Sequence, residues 1–175
     1  TKTWVNARIS ITPPNETNPV NESHTMTVFV EQSVEDGVWT PVVEANVNAQ
    51  TVPVPSSFNK SDCLAGTDLE GKCDVIINST TPGVFTTTAR TSISVNGVPF
   101  LLVTNGSGEN SGPAVKTYVD VTVNTFIHSG EDEFTNYDMN NGGTGLPLGS
   151  IVHDNVQVIP SSDTIAIPTG SKVTF

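Results

Sequence analysis

Basic side chains are scarce in this chain. Seven Lys and Arg stand against 18 Asp and Glu, giving a net charge of −11. The seven are scattered from Lys2 to Lys172. They form no patch that could neutralise a phosphate backbone, so nucleic acid is excluded as a partner. The same acidity disfavours anionic membrane surfaces and keeps copies of the chain apart in solution. Long hydrophobic runs are also missing. The longest, VPFLLV (98–103), falls far short of the roughly 18 apolar residues of a membrane span and reads as a buried strand. Aromatics are only 6%, too few for the coplanar platform of a sugar-binding face. Helix-forming stretches rich in Ala, Leu, Glu and Lys are absent, while β-branched Thr and Val abound, which points to an all-β chain.

Catalytic signatures are lacking too. There is no Gly-x-Ser-x-Gly elbow and no phosphate loop. His24, His128 and His153 fall on separate predicted elements. His153 and Asp154 would point to opposite faces of an extended strand, so they cannot act as a local dyad. A non-enzymatic role is expected. The chain opens without a start Met or a signal peptide, and reads as a processed product or a segment of something longer.

Two cysteines stand close together in CLAGTDLEGKC (63–73). Zinc would require more ligands nearby, and a redox pair would require Cys-x-x-Cys. A local disulfide between Cys63 and Cys73 is the expectation, with two buried free thiols as the alternative. A disulfide would imply an oxidising compartment and hence export. Five Asn-x-Ser/Thr sequons, at Asn15, Asn21, Asn59, Asn78 and Asn105, would accept glycans in a host with that machinery. All but Asn78 lie in loop-like sequence.

Alternation marks the strands. TWVNARISIT (3–12) places Val5, Ala7, Ile9 and Ile11 on one face. HTMTVFVEQ (24–32) turns Met26, Val28 and Val30 inward. VWTPVVEANVNA (38–49) carries Val43, Ala45 and Val47 in phase. CDVIINS (73–79) pairs Val75 with Ile77. GVFTTTARTSISV (83–95) lines up Phe85, Thr87 and Ala89. An Asn-Gly at 96–97 predicts a type I′ hairpin into VPFLLVT. PPNETNPVNES (13–23) reads as turn sequence. Short strands with turns every 8–12 residues predict an antiparallel β-sandwich.

NGSGENSGP (105–113) breaks this composition and reads as a flexible linker. Beyond it the opening motif returns: TKTWVNARISI (1–11) is echoed by VKTYVDVTVNT (115–125). That repeat divides the chain into a sandwich at 1–104, the linker at 105–113, and a second, incomplete module at 114–175. The second module would be completed by further polypeptide or by strands from another copy.

TDLEGKCDVIINSTTPGVFTTTA (67–89) resembles the bacterial Ig-like repeats of the invasin/intimin type. Thr67, Asp68, Gly71, Gly83, Thr88 and Ala89 occupy the recurring positions, and a cysteine pair around the Thr-Asp-x-x-Gly turn departs from the pattern. LGSIVHDNVQV (148–158) with PTGSKVTF (168–175) resembles the opening half of another such repeat. The resemblance implies Ig-like sandwiches strung into stalks, adhesins and surface appendages, without naming a ligand. Asp68 is expected to cap its turn and Gly71 to take a positive φ.

Four candidate sites remain. The acidic loop EDEFTNYDMNNGG (131–143) offers Glu131, Asp132, Asp138 and Asn140 as calcium ligands, against the simpler reading of a solvated loop. Trp4 and Tyr118 share one repeat position and are placed at the seam between modules. Trp39, after a turn, is placed in the core. A covalent Lys–Asn cross-link needs a buried Lys, an Asn and an acid together, and Lys2 and Lys116, at strand starts, are the lysines placed for one. The functional expectation is an extracellular or cell-surface structural protein, a stalk or filament subunit joined through strand edges to copies of itself or adjacent Ig-like domains. The alternative is an adhesin or carbohydrate-binding module with a glycan or host-surface ligand.

Overall fold

Two compact units, Thr1–Val119 and Asp120–Phe175, divide the chain in a computed structural model that describes residues 3–35, 37–128, 149 and 153–160. The first unit is a sandwich of two sheets. One sheet holds β1 (Asn6–Thr12), β3 (His24–Glu35), β7 (Lys72–Asn78) and β6 (Ser57–Asn59) in that order, with β4 (Val38–Pro41) on the far half of β3. The other holds β2 (Asn15–Pro19), β10 (Ala114–Val119), β8 (Gly83–Val95) and β5 (Asn48–Val52), with β9 (Val98–Val103) on the far half of β8. A single helical turn, α1 (Ser61–Ala65), carries Cys63. Setting aside β2, β4 and β9, the remaining strands fall into the A-B-E-D and G-F-C sheet orders of immunoglobulin constant-type domains. In the second unit β11 (Val121–His128) pairs antiparallel with β12 (His153–Pro160).

The core follows from alternation. Ala7, Ile9 and Ile11 of β1 meet Met26, Val28 and Val30 of β3 and Val75 and Ile77 of β7, against Phe85, Ala89 and Tyr118 from the opposite sheet and Val47 just before β5. Each fully buried Val or Ile contributes about 1.5–3 kcal/mol. Asn96 and Gly97 take φ of 48° and 82°, as a type I′ turn requires, and Val95 faces Val98 across it.

The Thr-Asp-x-x-Gly segment acts as a clamp between strands. Thr67 is buried; its hydroxyl donates to Val42 O at 2.6 Å and accepts from Ala45 N at 3.0 Å. Asp68 Oδ1 accepts from Glu70 N at 2.8 Å and Lys72 N at 2.9 Å. Gly71 takes φ +76°, and an added Cβ would lie 2.7 Å from Val30 O and 2.9 Å from Pro41 Cβ. The Cys63–Cys73 disulfide forms beside it. Closing this short loop removes unfolded-state entropy worth about 2.8 kcal/mol on the chain-entropy model.

Several expectations change. Residues 105–113 are not a flexible linker. Gly106 N donates to Ser111 O at 2.8 Å, and Ser111 N donates to Ile9 O at 3.0 Å. Asn110 Oδ1 and Ser111 Oγ accept from Ile9 N and Ile11 N at 3.0 and 3.1 Å. The segment therefore caps the outer edge of β1, satisfying backbone groups that an edge strand would leave bare. Nor does the returning motif begin the second unit. Ala114–Val119 fills the gap between β2 and β8 as the sandwich's closing strand, so the unit boundary falls after Val119 rather than at 104. The physical reason is its alternation: Ala114, Lys116 and Tyr118 all point into the core. PPNETNPVNES is not all turn, since it contains β2. The run VPFLLV buries Leu102 but leaves Leu101 72% exposed, and Val43 is exposed as well.

Candidate functional site, a buried lysine between two parallel strands

Pro13 and Pro14 offer no N–H to continue pairing with β3, and after β1 the chain crosses to the second sheet. There β2 runs parallel to β10. The ladder extends past both ends through Val115 N to Pro14 O at 2.9 Å and Val20 N to Val119 O at 2.8 Å. The register places Lys116 beside Glu16 and Tyr118 beside Asn18. On the other flank of β10, Lys116 faces Phe85 and Tyr118 faces Gly83. Residues 116 and 118 share one face, as do 16 and 18.

Lys116 is fully buried, at 0% exposure. Its Nζ donates to Asn18 Oδ1 on the neighbouring strand and lies 5.4 Å from the centre of the Tyr118 ring. Tyr118, also fully buried, donates its hydroxyl to Ile77 O at 2.9 Å and meets Phe85 edge-on at 5.7 Å. These groups wall the lysine with aromatic carbon on one side and a side-chain amide on the other. The ion pairs among the described residues are Arg8–Glu31 and Lys72–Glu70, and neither involves Lys116.

Burying an ammonium costs several kcal/mol, and one neutral acceptor does not offset that. Desolvation accordingly pulls the Lys116 pKa below its usual value, opposed by the more distant charges of Glu16 and Glu22. Half-buried His24, at the start of β3, is also held below its ordinary value, by burial first and then by the Lys116 charge, with Glu16 opposing. Burial raises the Tyr118 hydroxyl. The cluster therefore sets a primary amine, whose charged form burial disfavours, against a carboxamide, with two carboxylates and an imidazole within electrostatic range.

The remaining sequence candidates are dispersed. Tyr118 is a core residue and not a seam residue, because its inward register on β10 leaves no path to the surface. Trp4 is largely exposed, ahead of β1. Trp39 is half-buried on β4 and carries the Arg8 guanidinium 4.2 Å above its ring, while Arg8 Nε pairs with Glu31 at 2.6 Å. Asn15, Asn21, Asn59 and Asn105 are exposed, whereas Asn78 is half-buried and its Oδ1 lacks a hydrogen-bond partner. The calcium candidates Glu131, Asp132, Asp138 and Asn140, and Lys2, lie outside the described residues. Among the described residues no group of three or more His, Cys, Asp or Glu is placed to hold a metal. No helix among them is long and apolar enough to cross a membrane.

Sequence reading named Lys116 but missed Asn18 and Glu16. The signal was faint: β2 has no apolar alternation, and its strand character comes from the partner it meets 100 residues later. Comparison with family models, with curated proteins and with solved structures returns no match.

Proposed function

We propose that this chain is a structural, extracellular module of a tandem array of Ig-like β-units, part of a cell-surface stalk or an extracellular filament whose neighbours are copies of itself or similar domains. One observation carries this reading. The strand that closes the first sandwich passes directly into the next β-unit, with β10 ending at Val119 and β11 beginning at Val121. Units linked through a closing strand form a series along the backbone. Three blunted edges of the first sandwich agree with this. Asn110 and Ser111 cap β1, β6 is three residues long, and Lys60 Nζ binds Asn48 Oδ1 and Ala49 O on β5. Edges blunted in this way resist lateral pairing along β1, β5 and β6. The Cys63–Cys73 disulfide supports an oxidising location.

Electron microscopy of the native material tests the reading. Filaments or strings of beaded domains are expected. Isolated particles with saturable binding on a glycan array would replace it with the adhesin alternative.

A further inference from the structure

We propose that Lys116 and Asn18 become joined by an amide bond, formed by the fold itself, that covalently staples the closing strand β10 to β2. Three features of the site converge on this chemistry. The amine is fully buried and its nitrogen is in direct contact with the Asn18 side-chain amide. Two regular strands in parallel register fix both partners, so the approach is set by the backbone and not by chance rotamers. Glu16 stands beside Lys116 in that register and on the Asn18 face of β2; its exposed carboxylate lies outside ion-pair distance of Nζ, acts on the Lys116 charge, and can swing toward the two nitrogens.

The step balances without a cofactor. The neutral Lys116 Nζ attacks Asn18 Cγ, and the carbonyl electron pair moves onto Oδ1 to give a tetrahedral centre. A proton passes from Nζ to Nδ2, carried by the exposed Glu16 carboxylate once its side chain swings in from beyond ion-pair distance. The carbonyl re-forms, the Cγ–Nδ2 bond breaks, and one ammonia leaves. Nothing is oxidised or reduced. The aromatic walls of Phe85 and Tyr118 keep the amine desolvated and nucleophilic. In the product, the buried primary amine has become an amide that cannot be protonated near neutral pH, so the core no longer holds an ionisable group there. The inference does not depend on the proposed stalk function, although a sandwich clasped between its second and last strands would resist being pulled apart from its ends.

The test is intact mass measurement on the full chain after denaturation and reduction. The expected mass is below that of the sequence by about 17 Da, one ammonia. Tryptic digestion should then yield a branched product joining 9–60 to 91–172, because cleavage after an acylated Lys116 is blocked. Asn18→Ala and Lys116→Arg should each abolish the mass loss, and Glu16→Gln should slow it at least tenfold in freshly folded protein. An unshifted wild-type mass overturns the proposal, as does an ammonia loss mapping to any other peptide. Since the wild-type branched peptide decides the question alone, a variant that fails to fold does not leave it open. A Glu16→Gln protein that cross-links at the normal rate removes Glu16 from the proton-transfer role.

Discussion

Replacing Gly71 with Ala separates two physical effects that usually travel together. Gly71 lies at φ +76°, and its missing Cβ would sit 2.7 Å from Val30 O and 2.9 Å from Pro41 Cβ. The left-handed backbone costs an alanine about 1 kcal/mol relative to glycine. The clash adds about 2 kcal/mol, because the nearest atom is a backbone carbonyl within the β3 ladder and has little freedom to retreat. Gly97 supplies the control. It has φ +82° in the β8–β9 turn, with nothing within 4 Å of the added Cβ. Gly97→Ala should cost only the backbone part, about 1 kcal/mol. In chemical denaturation Gly71→Ala should thus lose about 3 kcal/mol against about 1 for Gly97→Ala. For a domain of this size the melting temperatures should fall by roughly 12 °C and 4 °C. Equal losses from both variants would refute the close approach of the Thr-Asp-x-x-Gly turn to β3 and β4.

Two further predictions follow from the interior. Thr51 and Thr87 share a buried hydroxyl–hydroxyl hydrogen bond at 2.8 Å across β5 and β8. Thr87→Val should cost about 1–3 kcal/mol by leaving the Thr51 hydroxyl stranded, while the Thr51→Val/Thr87→Val double variant should recover most of that, as a denaturation double-mutant cycle would show. His24 is depressed below its usual 6.5 in the folded chain, first by burial. In the unfolded chain it therefore binds its proton more readily, so its contribution is fully present above pH 6.5 and is lost as pH falls below it. His24→Gln should flatten that acid-side slope in stability measured against pH, and an unchanged slope would remove His24 as its source.

The sandwich was legible in the sequence wherever burial acts through period-two alternation. Ile9 and Ile11, Val28 and Val30, and Val75 and Ile77 all face inward as their spacing requires. Turn chemistry was equally plain at Asn96-Gly97, Asp68 and Gly71, because each demands a particular backbone or side-chain geometry. The repeated opening at 115–119 misled for a physical reason. Its Lys-Thr-Tyr-Val reads as a beginning, yet it fills a gap between two strands whose register partners lie about 30 and 100 residues upstream. Gly and Ser at 105–113 looked like slack chain, but small polar residues also suit a segment that must lie close along an edge strand and bond to its backbone. The lysine site was hidden because β2 contributes Glu16 and Asn18 with no hydrophobic stripe to announce a strand. Only the parallel pairing with β10 brings those residues to Lys116.

Ending the chain at Pro113 or at Val119 and comparing the two fragments by denaturation tests most directly whether the repeated motif closes the first sandwich. The fragment ending at Val119 should unfold in one cooperative transition. The one ending at Pro113 should lose it, because β2 and β8 are both left without their shared neighbour and the burial of Ala114, Lys116 and Tyr118 is gone. Equal stability of the two fragments would contradict the account and return residues 114–119 to the second module.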